Sequence, residues 1–155
     1  LSITPAAHRV AMVEAAIADN EAFSISCVDV DRPGPHYTVD TLALLQEKHP
    51  QAQLFFLIGS DSLTQFPEWR QPGEIARRAY LAVMERPGWT VDRSALERAI
   101  PALKGRLIWL DAPHLDLAAT DLRRRARQGL PLRYMVPPAV AAYVRDHHLY
   151  TGEAA

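Results

Sequence analysis

The sequence predicts an α/β fold built on a doubly wound, mostly parallel sheet, and three observations carry that reading. Short, uninterrupted apolar runs recur at residues 54–58, 80–84 and 107–110. Stretches with helical spacing lie between and around them. Glycine or polar residues follow each run as it ends. Strands that alternate with helices, with strands apolar on both faces, form the pattern of a parallel sheet covered by crossover helices.

Taken in order, Thr4-Pro5 reads as the N-cap and first residue of a helix over 6–18, since Val10, Val13, Ala16 and Ile17 recur at helical spacing. Residues 23–30 alternate with period two and are rich in β-branched side chains, so a strand is expected there, stopping at Arg32-Pro33-Gly34-Pro35. A second helix is expected over 38–48, with Asp40 in its first turn and Lys48-His49 in its last, as the helix dipole favours. Residues 54–58, closed by Gly59, suit a central strand covered on both faces. Further helices are expected over 73–78, 91–99, 120–128 and 138–147. No internal repeat, low-complexity tract or composition break divides the chain, so residues 1–155 are expected to form one domain.

Composition narrows the function classes. A 155-residue chain that is 48% hydrophobic can close a core without disulfides or a structural metal. Seventeen basic against eighteen acidic residues give a formal net charge of −1, so no global field attracts nucleic acid or anionic lipid. Any anion site has to be local. Cys27 is the single cysteine and has no internal disulfide partner; in its apolar run an inert thiol is expected. No apolar stretch approaches the roughly 20 residues that span a bilayer, and residues 1–5 have no leader pattern, which points to the cytoplasm. A homo-oligomer is left open. The chain starts at Leu1 and enters a helix almost at once, so it is expected to begin in mid-domain.

In open α/β sheets ligands lie beyond the carboxyl ends of the strands. There the sequence places Gly59-Ser60-Asp61-Ser62, Glu85-Arg86-Pro87-Gly88-Trp89, and the polar segment 111–116 leading to Leu117-Ala118-Ala119-Thr120-Asp121-Leu122-Arg123. Thr120 opening a helix with Arg123 one turn in is one way to build a phosphate site. The alternative is a capping threonine followed by a solvated basic face of Arg123, Arg124, Arg125 and Arg127. No P-loop, paired CxxC, HExxH or GxSxG pattern occurs. His147-His148 fits a helix end, His8 a surface or packing position, and Cys27 has no basic neighbour in sequence to activate it.

Several blocks in fixed order resemble the bacterial nicotinate-mononucleotide adenylyltransferase family. Residues 8–19 are similar to its helix after an early histidine loop, and Arg32-Pro33-Gly34-Pro35-His36-Tyr37-Thr38-Val39-Asp40-Thr41-Leu42 to its RPGPSYTVDTL block. Leu57-Ile58-Gly59-Ser60-Asp61-Ser62-Leu63 with Phe66-Pro67-Glu68-Trp69 is similar to IIGxDxL and FPxW, and Arg86-Pro87-Gly88-Trp89 to the RPGY turn. Residues 117–123 stand where the family has ISSTxIR, and Leu149-Tyr150 where it ends in GLY.

The resemblance implies a Rossmann-like sheet of the nucleotidylyltransferase type lacking its first β-α-β segment, and transfer of AMP from ATP to nicotinate mononucleotide with Mg²⁺, giving deamido-NAD and pyrophosphate. It implies a nicotinate pocket at Tyr37, Thr38 and Trp69, with Arg86 toward the phosphate or loop contacts of the mononucleotide; the alternatives are a half-buried core ring for Trp69 and a structural salt bridge for Arg86. Gly59, Asp61, Thr120 and Arg123 fall on the ATP side, the last two also as catalytic positions. Ala118 and Ala119 replace two serines of ISST, and no His-x-Gly-His occurs, so the GTFDPxHxGH motif, whose histidines in the family stabilise the transition state in which pyrophosphate leaves, has no counterpart. Two further readings stay open: a sister adenylyltransferase with another acceptor, and a catalytically inert nucleotide-binding module. On the leading reading, joining a segment that carries GTFDPxHxGH ahead of Leu1 gives pyrophosphate release dependent on ATP and nicotinate mononucleotide. The 155-residue chain alone is expected to give almost none; robust turnover by it would contradict the role assigned to the missing histidines.

Overall fold

A computed structural model of the chain describes residues 4–113 and 117–151. The chain divides into two compact units, one of Leu1–Val30 with Leu115–Ala155, the other of Asp31–His114. In chain order the helices are α1 (Ala6–Ile17), α2 (Thr38–Lys48), α3 (Ser60–Thr64), α4 (Pro72–Arg78), α5 (Arg93–Ala99), α6 (Ala119–Arg127) and α7 (Pro138–Asp146). The strands among the described residues are β1 (Leu54–Gly59), β2 (Ala79–Met84) and β3 (Leu107–Leu110). Most of these ends lie within one or two residues of those expected from hydrophobic periodicity.

The unit Asp31–His114 holds a parallel sheet in the order β1-β2-β3. Its register pairs Leu54 with Ala79 and runs to Gly59 with Met84, while Leu81 pairs with Leu107 and Met84 with Leu110. Paired residues of neighbouring strands share a face. One face carries Phe56, Ile58, Leu81, Val83, Leu107 and Trp109, packed into a single cluster with Val39 and Leu42 of α2, Leu63 of α3, Ile75 of α4 and Leu96 of α5. Phe66, in a short 3-10 turn, and Leu81 at the middle of β2 have no exposed surface at all.

The opposite face differs from expectation. Residues 54–58 were expected to be covered on both sides, yet burial in β1 alternates, with Phe55 55% and Leu57 59% exposed. Phe55 stacks on its cross-strand neighbour Tyr80, with ring centroids 5.3 Å apart, and the Arg106 guanidinium carbon lies 4.6 Å from the centroid of the same Tyr80 ring. β1 is an edge of the described sheet, and β2 is the central strand. An unbroken apolar run gives no information about which of its two faces finds a cover.

Residues 23–30 form no strand either. Phe23, Ile25 and Val30 are exposed, Val28 alone of the segment is buried, and residues 28–31 form a turn. Period-two alternation prepares a chain for a ladder, but a strand exists only where a neighbour accepts its backbone hydrogen bonds. At the start of α1 the cap is Pro5, in extended backbone, and the Thr4 side chain makes no capping bond; the Thr4 carbonyl instead accepts from Arg9 Nε at 3.2 Å.

In this other unit α1 packs on α7. His8 Nδ1 and the Tyr143 hydroxyl are 3.0 Å apart, and the His147 ring lies against both, at 5.4 and 4.1 Å between centroids. His8 is thus a packing residue, and His147 closes α7 as its C-cap. Cys27 is a half-buried free thiol. Within α4, Glu74 accepts from Arg77 Nε and pairs with Arg78 Nη2, each at 2.9 Å. The Arg77 hydrogen bond, ahead of the Arg78 charge, holds the Glu74 carboxyl below its usual range.

The two faces of the sheet make unequal demands on stability. Leu81→Ala, on the packed face, is expected to cost about 2–5 kcal/mol, as a large-to-small change in a closed core does. Leu57→Ala, on the open face, is expected to cost less than about 1 kcal/mol. Urea denaturation of the two variants checks this, and equal losses would contradict the assignment of the faces.

Candidate functional site

β1 and β2 end level with each other, so the loops that follow them lie side by side. After β1 the chain passes through Gly59, which caps α3 in extended backbone (φ −77°, ψ 152°). Glycine is favoured here by space rather than by dihedral angle. A Cβ at this position would run into Asp61 Oδ1 and come within 3.4 Å of Arg86 Nε. Asp61 makes no helix-capping bond. It is the second residue of α3 instead of its cap, and its carboxylate pairs with Arg86 Nη1 at 3.4 Å.

Two of the expected nucleotide contacts, Gly59 and Asp61, thus come together with a third, Arg86. The Arg86 side chain is 63% exposed. An ion pair of that kind contributes about 0–1 kcal/mol, so the guanidinium can be shared with an incoming anion at little cost. Beneath the pair lies Ser60, 1% exposed, whose hydroxyl accepts from the Arg86 backbone N–H at 2.9 Å.

A second cluster surrounds the start of α2. Tyr37 is its N-cap, in extended backbone, and the Tyr37 carbonyl accepts from the Asp40 and Thr41 amides and from the Thr41 hydroxyl. Thr38, half-buried, opens the helix, where the first backbone amides have no intrahelical acceptor. Arg70 lies over the Tyr37 ring, its guanidinium carbon 4.5 Å from the centroid. Trp69, next in chain, is half-buried, edge-on to Phe56 at 6.0 Å and tilted on Phe66 at 5.4 Å. The Trp69-Arg70 pair therefore ties Tyr37 to the core rings. Both expectations for Trp69 had a physical basis, and the packed-ring one is visible directly.

Thr120 and Arg123 belong to the unit that contains α6 and α7. α6 begins at Ala119 with Ala118 as its N-cap, so Thr120 is the second helical residue and its side chain makes no capping bond. Arg123 Nε donates to the Ala119 carbonyl at 3.2 Å, which folds its side chain back toward the helix start. Arg124 pairs with Asp121 at 2.8 Å, and Arg125 donates to the Pro131 carbonyl at 3.2 Å. Of the polar segment 111–116, residues 114–116 lie outside the described residues.

Ser60 and Arg70 are the site residues that the sequence did not single out. A serine after a strand-ending glycine reads as a surface hydroxyl, and its burial emerges only once two strands are paired. Arg70 had one visible signal, its place directly after the FPxW pattern.

A parallel sheet with helices packed on it and with glycine, carboxylate and guanidinium gathered at its strand ends defines an α/β protein, and the family model described as cytidylyltransferase-like matches residues 1–125. The curated relatives narrow this further. A probable nicotinate-nucleotide adenylyltransferase of Thermomicrobium roseum is 47% identical over 148 residues, 96% of this chain and 69% of the relative. Its counterpart in a Roseiflexus species is 44% identical over 96% of this chain and 74% of the relative. The chain belongs to the nicotinate-nucleotide adenylyltransferase family. Its fold is that of the Plasmodium falciparum nicotinic acid mononucleotide adenylyltransferase, solved in complex with NaAD, with a TM-score of 0.71 at 18% identity over 97% of this chain and 76% of that one.

Crowding at Gly59 has a measurable consequence. Gly59→Ala is expected to displace the Asp61 side chain from Arg86 and to cost about 1 kcal/mol. In an Asp61→Ala background the same substitution is expected to cost much less, and thermal unfolding of the four chains checks the difference. Equal costs in both backgrounds would remove Asp61 as the cause.

Proposed function

We propose that the chain takes part in its family's reaction, the transfer of AMP from ATP to nicotinate mononucleotide in NAD biosynthesis. A phosphate oxygen of the mononucleotide attacks the α-phosphorus of ATP, the bond from that phosphorus to the β-phosphate oxygen breaks, and pyrophosphate leaves with nicotinate adenine dinucleotide formed. No covalent enzyme intermediate is needed. The protein's work is to align two nucleotides and to meet developing charge with fixed donors. The observation that carries this reading is family membership at 47% identity over 96% of the chain. The activity for which the relatives are named is the one the RPGPHYTVDTL and FPEW blocks also point to.

In this reading Tyr37, Thr38 and Trp69 hold the nicotinate ring. An indole fixed against Phe56 and Phe66 is ready to stack at little cost in side-chain entropy. The amides that open α2 suit the ring carboxylate, since an anion at a helix N-terminus meets unsatisfied donors. Arg86 takes the mononucleotide phosphate. Gly59 and Asp61 serve ATP, and the family resemblance assigns Thr120 and Arg123 to the same substrate. Mg²⁺ enters as part of the ATP substrate, held by phosphate oxygens and water, which is how this ion usually binds at phosphoryl sites. Among the described residues no group of three His, Cys, Asp or Glu gathers to hold a metal, and no helix is long and apolar enough to cross a membrane. One observation favours a second reading, binding without turnover: Ala118 caps α6 with no hydroxyl to offer.

Calorimetric titration tests the acceptor. Nicotinate mononucleotide is expected to bind at least about tenfold more tightly than nicotinamide mononucleotide, a difference of about 1.4 kcal/mol. Trp69→Ala is expected to weaken both by a similar factor, because stacking does not depend on the carboxylate. Equal affinity of the wild-type chain for the two mononucleotides would overturn the choice of acceptor.

A further inference from the structure

We propose that Ser60 is a positioning residue: its buried hydroxyl fixes the backbone of the turn that carries Arg86, and through Arg86 it sets the affinity for the acceptor's phosphate. This rests on the functional reading above, which gives Arg86 that phosphate.

The ladder between β1 and β2 ends at the pair Gly59 and Met84. One step further the chain turns into α3, and its peptide groups enter a helix. Arg86 lies beyond the last rung, so its N–H has lost the strand as a partner. Ser60 Oγ accepts from it at 2.9 Å. A side chain thus supplies the rung that the backbone stops supplying.

Ser60 is also the buried polar side chain of the described core, at 1% exposed. A hydroxyl is seldom kept in such a place unless it makes a bond, and the Arg86 amide is the bond it makes. The Arg86 side chain is held far less firmly. It is 63% exposed, and its pair with Asp61, at 3.4 Å, is of the kind that fixes little by itself. The place of the guanidinium against Gly59 is therefore inherited from the main chain. The same turn closes on itself through Trp89 N–H to the Arg86 carbonyl at 3.2 Å, so the anchor at Arg86 orients the whole segment 86–89.

The test is a double-mutant comparison by calorimetric titration of the full chain. Ser60→Ala is expected to weaken nicotinate mononucleotide by about fivefold, the size of one lost hydrogen bond, and to leave ATP affinity unchanged. Arg86→Ala weakens the mononucleotide at least as much. The double variant is expected to bind it no worse than Arg86→Ala alone, because Ser60 acts through that side chain. A merely structural serine would lower both affinities and add its effect to that of Arg86. If Ser60→Ala fails to fold by circular dichroism, Ser60→Cys keeps the volume, offers a poor acceptor and gives the same comparison. Additive losses, a loss of ATP affinity, or an unchanged mononucleotide affinity in Ser60→Ala would each overturn the role of Ser60 while leaving the functional reading intact. A wild-type chain that does not bind nicotinate mononucleotide overturns that reading and this one together.

Discussion

The in-register parallel pairing of β1 with β2 is the constraint on which the rest of the candidate site depends. Because the two strands start together at Leu54 and Ala79 and stop together at Gly59 and Met84, the loops that leave them emerge at the same height. A slip of one residue would turn every side chain of β1 to the other face and carry Phe56 and Ile58 out of the core. The same slip would part Ser60 from the Arg86 amide and Asp61 from the Arg86 guanidinium. The hydrophobic pattern that builds the core is thus also what aligns the polar groups.

Much of this was legible in the residues. The three apolar runs became the three strands, and α2 spans the very residues its pattern marks, because period and dipole agree with the tertiary environment there. Motif residues around Gly59, Asp61 and Arg86 gather at adjoining strand ends, as the general rule for open α/β sheets requires.

What was not legible is instructive for a physical reason. Residues 23–30 have the composition of a strand, but composition describes readiness to pair and says nothing about the partner. The run in β1 is apolar throughout, so it gives no sign that Phe55 and Leu57 face outward. Ser60 looks polar and therefore superficial, and only the chain folding over it from residue 86, twenty-six positions away, makes it a core residue. Each failure concerns a non-local neighbour, which a local pattern cannot contain.

The contact between α1 and α7 has a consequence for how the polypeptide matures. His8 meets Tyr143, its partner across 135 positions. During synthesis α1 leaves the ribosome well before its companion helix, with residues 31–114 made between them. Residues 31–114 pair mainly with one another and can settle while translation continues, whereas α1 waits for α7 with its apolar stripe unmet. A message that stops short of α7 would therefore release a product in which residues 31–114 are built and α1 has nothing to hold, a natural target for chaperones and quality-control proteases.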